Sequence, residues 1–175
     1  MQQLLAQGFQ YDDHTPGMAI DLATLPPPVQ HPLTIRRVED RHTLAQWVCT
    51  FIQGYEIPEA VTPIFLALIE SLGTNLPFRH YLGFLNDRPV ATSTLFLGAG
   101  VAGIYNVATV AAVRSQGIGS AMTLIPLYEV RGMGYRAGVL QSSRIGYRVY
   151  QRLGFQKFCQ MDHFYRQVQN ITEPF

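Results

Sequence analysis

The chain contains, from residue 104 to residue 122, the sequence Ile104-Tyr-Asn-Val-Ala-Thr-Val-Ala-Ala-Val-Arg-Ser-Gln-Gly-Ile-Gly-Ser-Ala-Met122. β-favouring residues up to Val110 predict a strand, and the apolar spacing after Gly117 predicts a helix. Free amides at the start of a helix, together with the helix dipole, form a site for a phosphate group. Gly117 and Gly119 let the backbone approach such an anion, and Arg114 adds a positive charge. A phosphate site and a plain helix entry beside a surface arginine fit this spacing equally well.

Two other phosphate-binding patterns do not fit the chain. A P-loop would end in Gly-Lys-Ser/Thr, and a dinucleotide fingerprint counted from Gly117 would need Gly or Ala where Met122 stands. The segment Gly132-Met-Gly-Tyr-Arg-Ala137 has the loose dinucleotide spacing, but it follows a predicted helix and precedes a predicted strand, which is the reverse of the required order.

The patterns on both sides of this stretch predict a series of strands and helices. The predicted strands cover residues 33–38, 79–85, 90–97, 101–110, 137–142, 155–159 and 163–168. The predicted helices cover residues 44–52, 58–73, 118–132 and 145–153. This order predicts an α+β domain, with helices packed against a mixed sheet of about seven strands.

Composition narrows the function classes. Hydrophobic residues make up 47% of the chain and charged residues 14%, as in a globular protein. A net charge of +1 gives no general field that attracts nucleic acid or an anionic membrane, so small-molecule partners are favoured. Cys49 and Cys159 lack nearby Cys or His partners, so we expect no metal site and predict buried or half-buried thiols. The absence of a secretory signal pattern and of a long apolar run predicts a cytoplasmic protein.

The N-terminal region differs from the rest of the chain. Residues 1–28 are predicted to form an arm that ends in the proline linker Leu25-Pro-Pro-Pro28, because its stiff backbone suits neither a helix nor a central strand. The domain itself is predicted to cover residues 29–175. The arm is interpreted as a remnant or as an extension that covers a sheet edge.

Two motifs in this order resemble those of one enzyme family. Arg114-Ser-Gln-Gly-Ile-Gly119 resembles the Gln/Arg-x-x-Gly-x-Gly/Ala signature of the GNAT acetyltransferases, and a Val-Ala-rich strand precedes it as in that family. Tyr150-Gln-Arg-Leu-Gly-Phe155 resembles the family's Tyr-x-x-x-Gly-Phe ending of the last helix. The resemblance covers roughly residues 31–168. Two departures are Ser143, where many members carry Asn, and Gly146, where Ala is usual.

The resemblance implies a fold and an activity. The fold would be the α/β/α-like GNAT fold, whose central mixed and mostly antiparallel sheet is splayed between its fourth and fifth strands. The activity would be transfer of an acetyl group from acetyl-CoA, a cosubstrate, to a primary amine that attacks the thioester directly, without a metal. Two alternatives stay open: a non-catalytic CoA-binding or interaction module, and an N-acyltransferase for a longer acyl chain, since residues 95–97 would border the acyl pocket.

The resemblance also implies which residues bind the coenzyme. The pantetheine arm is expected to pair with the backbone of Val107, Ala108, Thr109 and Val110, and amides near Ala108 and Thr109 to polarise the thioester carbonyl. The pyrophosphate is expected on Arg114, Ser115, Gln116, Gly117, Ile118, Gly119, Ser120 and Ala121. Ser143 would add a hydroxyl, and Arg144 and Arg148 either reach the 3′-phosphate or are solvated.

Proton transfer needs an acid and a base. Tyr150 is the expected acid, because a phenol with a pKa near its ordinary value of about 10 is protonated at neutral pH and can donate to the leaving thiolate. In the alternative role, Tyr150 is a packed aromatic side chain with a hydrogen-bonded hydroxyl group. Only about one alkyl amine in a thousand is neutral at pH 7, so a base or a water chain is expected. No carboxylate lies on the strand at residues 101–110. Glu56 and Glu59, between the first two helices, are therefore the candidates for the base. Their alternative role is that of ordinary surface acids near a helix start.

The acceptor is not specified by any motif. The acids near residues 56–59 and Glu70 are sparse, which favours a small and modestly charged amine over a polyamine or an aminoglycoside. We expect a small-molecule or peptide amine as partner and neither nucleic acid nor membrane. A homodimer is a further expectation from the apolar composition and the habit of the family.

Overall fold

The computed structural model describes residues 1–28 and 30–167. Its strands are β1 (Gln10–Asp21), β2 (Thr34–Arg37), β3 (Phe78–Leu85), β4 (Arg88–Gly98), β5 (Val101–Thr109), β6 (Ala137–Gln141) and β7 (Gln156–Tyr165). Its α-helices are α1 (Gln2–Ala6), α2 (Arg41–Tyr55), α3 (Thr62–Leu72), α4 (Ile118–Gly132) and α5 (Tyr147–Arg152). Val29 and residues 168–175, which belong to the predicted domain and include the end of its last predicted strand, lie outside the described residues.

The strands form one open sheet in the order β2-β3-β4-β5-β6-β1-β7. Every neighbouring pair is antiparallel except β5 and β6, which run parallel. Their pairing covers only Ala102 to Ile104 on β5 and Gly138 to Leu140 on β6. β5 then continues to Thr109 without β6, so the two strands separate where the sequence predicted a splay. The predicted α+β architecture with seven strands is confirmed.

One of the seven strands is not where the sequence placed it. Gln10–Asp21, assigned to the N-terminal arm, forms β1 between β6 and β7 inside the sheet. Pro16 and Gly17 lower the strand propensity of this segment, and irregular pairing with β7 accommodates them. Its partners lie more than a hundred residues away along the chain, so no local pattern signals the pairing. The two final predicted strands are instead one continuous strand, β7.

The helices cover the two faces of the sheet and give two buried clusters. Adjacent residues of a strand point to opposite faces, so Tyr81 belongs to the cluster beneath α4 and Leu82 to the cluster beneath α2. Trp47, fully buried on α2, donates from its indole nitrogen to the carbonyl of Ser93 at 3.2 Å. The prediction of buried thiols was wrong, because Cys49 lies on the outer face of α2 and Cys159 on the edge strand β7, and both are exposed.

The end of α2 packs tightly on β5. Asp40 begins the helix by accepting a hydrogen bond from the amide of Thr43 at 2.7 Å, and this bond lowers the pKa of its carboxyl group. Near the other end, a Cβ on Gly54 would lie 2.8 Å from the Cβ of Ala108. Glycine at this position therefore lets the helix contact the part of β5 that has lost β6. None of the helices in the described residues has the length and hydropathy needed to cross a bilayer.

Candidate functional site

The turn between β5 and α4 presents free backbone donors. Ser115 and Gly117 have φ angles of 62° and 80°, so the chain reverses sharply before the helix. The helix's first hydrogen bond joins the amide of Ala121 to the carbonyl of Gly117 at 3.1 Å. The amides from Gln116 to Ser120 have no partner among the described residues, as expected for a helix start. This is the arrangement of donors that binds an anion.

A histidine outside the motif holds this turn in place. The Nδ1 atom of His31 accepts from the amide of Leu33 at 3.0 Å, so its proton is on Nε2. Nε2 lies 2.8 Å from the carbonyl oxygen of Gln116 and donates to it. His31, Gln116, Gly117 and Ser120 line a cavity of about 560 Å³. The free amides therefore border an open space rather than packed protein.

The separated part of β5 is the second feature of the site. The amide of Val110 donates to the carbonyl of Val90 on β4 at 2.9 Å. Because backbone groups alternate along an antiparallel strand, the amide of Ala108 also faces β4, and that of Thr109 faces away from it. Of the two amides expected to polarise a thioester, Thr109 is thus the one directed away from β4. The carbonyl of Val107 accepts from the hydroxyl of Tyr55 at 3.4 Å.

Arg114 links three parts of the site. Its Nε donates to the carbonyl of Thr109 at 3.1 Å, and a terminal nitrogen donates to the carbonyl of Gly54 at 2.7 Å. Its other terminal nitrogen lies 2.8 Å from a carboxylate oxygen of Glu56. The structure thus pairs Arg114, which was predicted to bind pyrophosphate, with Glu56, which was predicted as a base. The guanidinium fixes the turn before α4 to the end of α2, and its role toward pyrophosphate stays a prediction.

Tyr150 is a residue of α5, and its side chain lies near Thr123 of α4 and Tyr55 at the end of α2. Its ring packs edge-on against Phe155, with 5.8 Å between ring centroids. The pKa of the Tyr150 hydroxyl is raised to about 12, mainly by burial and less by the nearby Tyr55, while the hydroxyl of Thr123 acts in the opposite direction. Tyr150 is therefore protonated at neutral pH, and Tyr55 connects it to Val107 on the separated part of β5.

The departure at Gly146 has a structural reason. A Cβ there would lie 2.8 Å from Cε2 of the Tyr150 ring and 3.3 Å from the hydroxyl oxygen of Ser143. The missing side chain therefore leaves room for Tyr150. Ser143 itself accepts a hydrogen bond from the amide of Gly146 at 3.1 Å, which stabilises the turn that precedes α5. Its hydroxyl proton is still available to a ligand.

Other predicted residues lie farther out. Arg144 and Arg148 are exposed, and neither forms an ion pair within the described part of the chain. Glu56 and Glu59 line a separate groove between α2 and α3. No cluster of His, Cys, Asp or Glu suited to a metal occurs in residues 1–28 and 30–167.

Sequence reasoning missed four residues of the site, of which His31, the residue that holds the turn, is described above. Tyr55 and Thr123 surround the Tyr150 hydroxyl, and Arg152 lines the cavity beside the free amides. No pattern in the sequence distinguishes Tyr55 or Thr123, because their relation to Tyr150 arises only from helix packing. Arg152 lies inside the second motif and was available as a candidate cation.

Solved structures resemble this chain, although no protein-family model and no curated protein sequence matches it. A GCN5-related N-acetyltransferase from Kribbella flavida superimposes with a TM-score of 0.72 at 18% identity, covering 96% of this chain and 63% of that one. A GCN5-related N-acetyltransferase from Sphaerobacter thermophilus gives 0.71 at 21%, covering 94% and 55%. A predicted acetyltransferase from Clostridium acetobutylicum, solved with acetyl-CoA, gives 0.57 at 19%, covering 72% and 91%.

These similarities define the fold. The chain has the fold of the GNAT acetyltransferases, as its two motifs indicated. This chain spans less than two thirds of the length of the first two proteins, so the superposition covers only part of each of those longer chains.

Proposed function

We propose that this protein transfers an acetyl group from acetyl-CoA to a primary amine. The observation that carries the proposal is the row of free amides from Gln116 to Ser120, which lies beside a cavity and follows the separated part of β5. The names of the structurally similar proteins support acyl transfer in general, and the acetyl-CoA in the structure of one of them supports this cosubstrate.

The residues present fit the cosubstrate. The free amides would hold its pyrophosphate, and Arg152, which lines the same cavity, would add a positive charge. The backbone of Val107 to Val110, left without β6, would pair with the pantetheine arm as an added strand. Ser143 and Arg148 remain candidates for further contacts. When bound, acetyl-CoA supplies the thioester that the acceptor amine attacks.

The proton donor in this proposal is Tyr150. A phenol whose pKa is about 12 stays protonated throughout the physiological range, so Tyr150 carries a proton that can pass to the leaving sulfur. The amide of Thr109, directed away from β4, would stabilise the negative charge that develops on the carbonyl oxygen.

The base in this proposal is a carboxylate of the groove between α2 and α3. Glu56 is ion-paired to Arg114, so its carboxylate is already engaged by a guanidinium. Glu59 belongs to the same groove and has no ion pair among the described residues. We propose that one of these carboxylates, or water that it holds, removes the proton of the incoming amine. The cytoplasm and a homodimer stay predictions.

Release of CoA tests the function. The protein would be mixed with acetyl-CoA and a panel of amines, and free thiol measured against a sample without amine. Amine-dependent thiol release supports the proposal. Acetyl-CoA binding by calorimetry without release on any amine supports the non-catalytic module instead. Faster release from propionyl- or butyryl-CoA than from acetyl-CoA supports the longer-chain acyltransferase. No heat of binding with acetyl-CoA would contradict all three.

A further inference from the structure

The sheet face beneath α2 continues past this helix onto β6, β1 and β7. α2 contacts β3, β4 and β5. Tyr105 of β5 lies on the same face, because it pairs through Thr94 with His80, and His80 is two residues from Leu82 in the cluster beneath α2. Tyr105 is nevertheless 39% exposed, so the cover given by α2 ends near β5.

A shallow cavity of about 230 Å³ lies on this open part of the face. The sheet register aligns Gly103 of β5 with Val139 of β6 and Ala19 of β1, so small side chains form its floor. Larger side chains of β5 and β7 form its two walls. We give the name apolar trough to the floor residues Gly17, Ala19 and Val139 together with the wall residues Tyr105, Phe158 and Met161.

Two glycines keep the apolar trough open. A Cβ on Gly103 would lie 2.6 Å from Cε2 of Tyr105 and 3.1 Å from its hydroxyl oxygen, so the ring lies back along its own strand. A Cβ on Gly17 would overlap Sγ of Cys159, so this sulfur lies over Gly17. Side chains at these two positions would push the wall and the sulfur out of place. The concave shape therefore depends on glycine at both positions.

The walls of the apolar trough are accessible to a ligand. Phe158 is 73% exposed and Met161 is 40% exposed. An aromatic ring and a thioether facing each other across small side chains make favourable contacts with a further aromatic ring. A ring that lies on the floor would remove apolar surface of both walls from water.

The lining of the apolar trough carries no charge, since none of the residues that border it is acidic or basic. Its exposed polar groups are the hydroxyl of Tyr105 and the side-chain amide of Gln141, both uncharged. A polyamine or an aminoglycoside would bring several ammonium groups to a surface without a carboxylate to compensate them. The lining thus favours an apolar body with few polar groups.

The width of the apolar trough also limits its occupant. The floor is two strands wide, which leaves about 10 Å between the walls. An α-helix with its side chains is about 10–12 Å across, so a helix of a second copy would rest on the walls rather than on the floor. A flat ring reaches the floor.

One end of the apolar trough opens at the site. Tyr105 follows Ile104, the last residue of β5 that pairs with β6, and Gln141 is the last residue of β6. Val107, whose backbone is proposed to pair with the pantetheine arm, lies two residues beyond Tyr105, or about 7 Å along the strand. A molecule on the floor therefore has a direct path to the cleft between β5 and β6.

We infer that the apolar trough binds the acceptor, and that the acceptor is a primary amine attached through a short alkyl arm to an aromatic ring. The ring lies on the floor between Tyr105 and Phe158, and the arm carries the amine into the cleft between β5 and β6. The inference rests on the proposed acetyl transfer and names its substrate class.

The first test compares amines as acetyl acceptors. Benzylamine, 2-phenylethylamine, 3-phenylpropylamine and 4-phenylbutylamine vary the length of the arm, the matching amines without the ring are their controls, and spermidine is the charged comparison. We expect kcat/KM for the best arylalkylamine to exceed that for its ringless control, and that for spermidine, by about tenfold. Spermidine as the best acceptor, or no preference for the ring, would overturn the inference.

Two variants locate the ring. Ala19→Leu fills the floor and should lower kcat/KM for the best arylalkylamine about tenfold, while the ringless control changes less than about twofold. Phe158→Ala removes one wall and should lower the preference for the ring about fivefold. Ile64→Ala on α3 is the matched control, because it removes an apolar side chain of similar exposure, 76%, outside the apolar trough. An unchanged preference in both trough variants would overturn the inference.

Other occupants of the same surface give different results. If a second copy covers the apolar trough, light scattering will show a wild-type dimer that Phe158→Ala converts to a monomer. If a longer acyl chain lies there, Ala19→Leu will slow transfer from octanoyl-CoA and leave the amine preference unchanged. Either result would overturn the inference, whereas the same oligomeric state in wild type and Phe158→Ala supports it.

A binding measurement separates the inference from the proposed function. Protein labelled with methyl-¹³C methionine would be titrated with the best-fitting arylalkylamine without acetyl-CoA, and the Met161 resonance identified from Met161→Leu. A shift of this resonance, lost in Ala19→Leu, together with no CoA release on any amine would retain the trough assignment and reject acetyl transfer. CoA release without a shift would do the reverse, and the absence of both would reject both.

Discussion

Replacement of Gly146 by alanine is expected to lower turnover without weakening the fold. The new Cβ would lie 2.8 Å from Cε2 of Tyr150, below the 3.4 Å at which ordinary contact begins. The ring must therefore move by about 0.6 Å, because carbon atoms repel steeply below their contact distance. A shift of this size in a proton donor costs about tenfold in kcat, given that a misplacement of 1 Å costs about a hundredfold.

The free energy of unfolding of Gly146→Ala should rise slightly or stay unchanged. Gly146 has φ −72° and ψ −24°, a helical conformation that alanine adopts without strain. Alanine restricts the unfolded chain, which contributes about 0.4–1 kcal/mol to stability and offsets the cost of moving the ring. Gly132→Ala on α4 is the matched control, because a Cβ there would contact nothing within 4 Å. It should leave kcat unchanged.

The assay measures CoA release with the best amine of the panel, alongside urea unfolding and calorimetry with acetyl-CoA. We expect Gly146→Ala to fold normally, to bind acetyl-CoA within about twofold of wild type, and to lose about tenfold in kcat. Wild-type kcat in this variant, measured where Tyr150→Phe does lower kcat, would refute the idea that Gly146 makes room for the proton donor.

Three further predictions concern the coenzyme site and its acid. Gly119→Leu should leave stability within about 1 kcal/mol of wild type, since a Cβ at Gly119 meets no atom within 4 Å. It should weaken acetyl-CoA binding about tenfold in calorimetry, because the leucine side chain would obstruct the pyrophosphate. Unchanged affinity would exclude this turn as the pyrophosphate site. Arg114→Gln should lower the free energy of unfolding by about 1–2 kcal/mol, because the guanidinium bonds to Thr109 and Gly54, and urea denaturation measures it; a loss of acetyl-CoA affinity at unchanged stability would instead support a direct phosphate contact. Tyr150→Phe should lower kcat about a hundredfold. The kcat of the wild-type protein should not fall between pH 7 and about 10, because a donor with its pKa raised to about 12 is protonated throughout this range. A decline with an apparent pKa near 8 or 9 would argue against Tyr150 as the acid.

The turn with free backbone donors was predictable from residues close together in the chain. The turn at residues 114–121 is a local structure, since glycine spacing and the start of a helix determine where its amides are free. The assignment of Gln10–Asp21 to an arm failed for the opposite reason. Its strand exists through pairing with β6 and β7, and the free energy of that pairing is absent from the local sequence.

The acceptor side was not predictable. The resemblance directed attention to Glu56 and Glu59, because the first two helices line the acceptor site in that family and no carboxylate lies on the strand at residues 101–110. Tyr105 and Phe158 lie on strands far apart in the chain, and only the pairing of β1 between β6 and β7 brings them to the two walls of the apolar trough.

The sequence alone therefore predicted most of the elements from β2 onward and the turn with free donors, because propensity, periodicity and helix capping act over a few neighbouring residues. Tertiary structure decided the membership of β1 in the sheet and the room for Tyr150 beside Gly146. Each of these depends on contacts between residues distant in the chain, whose energies exist only when the sheet and helices pack together.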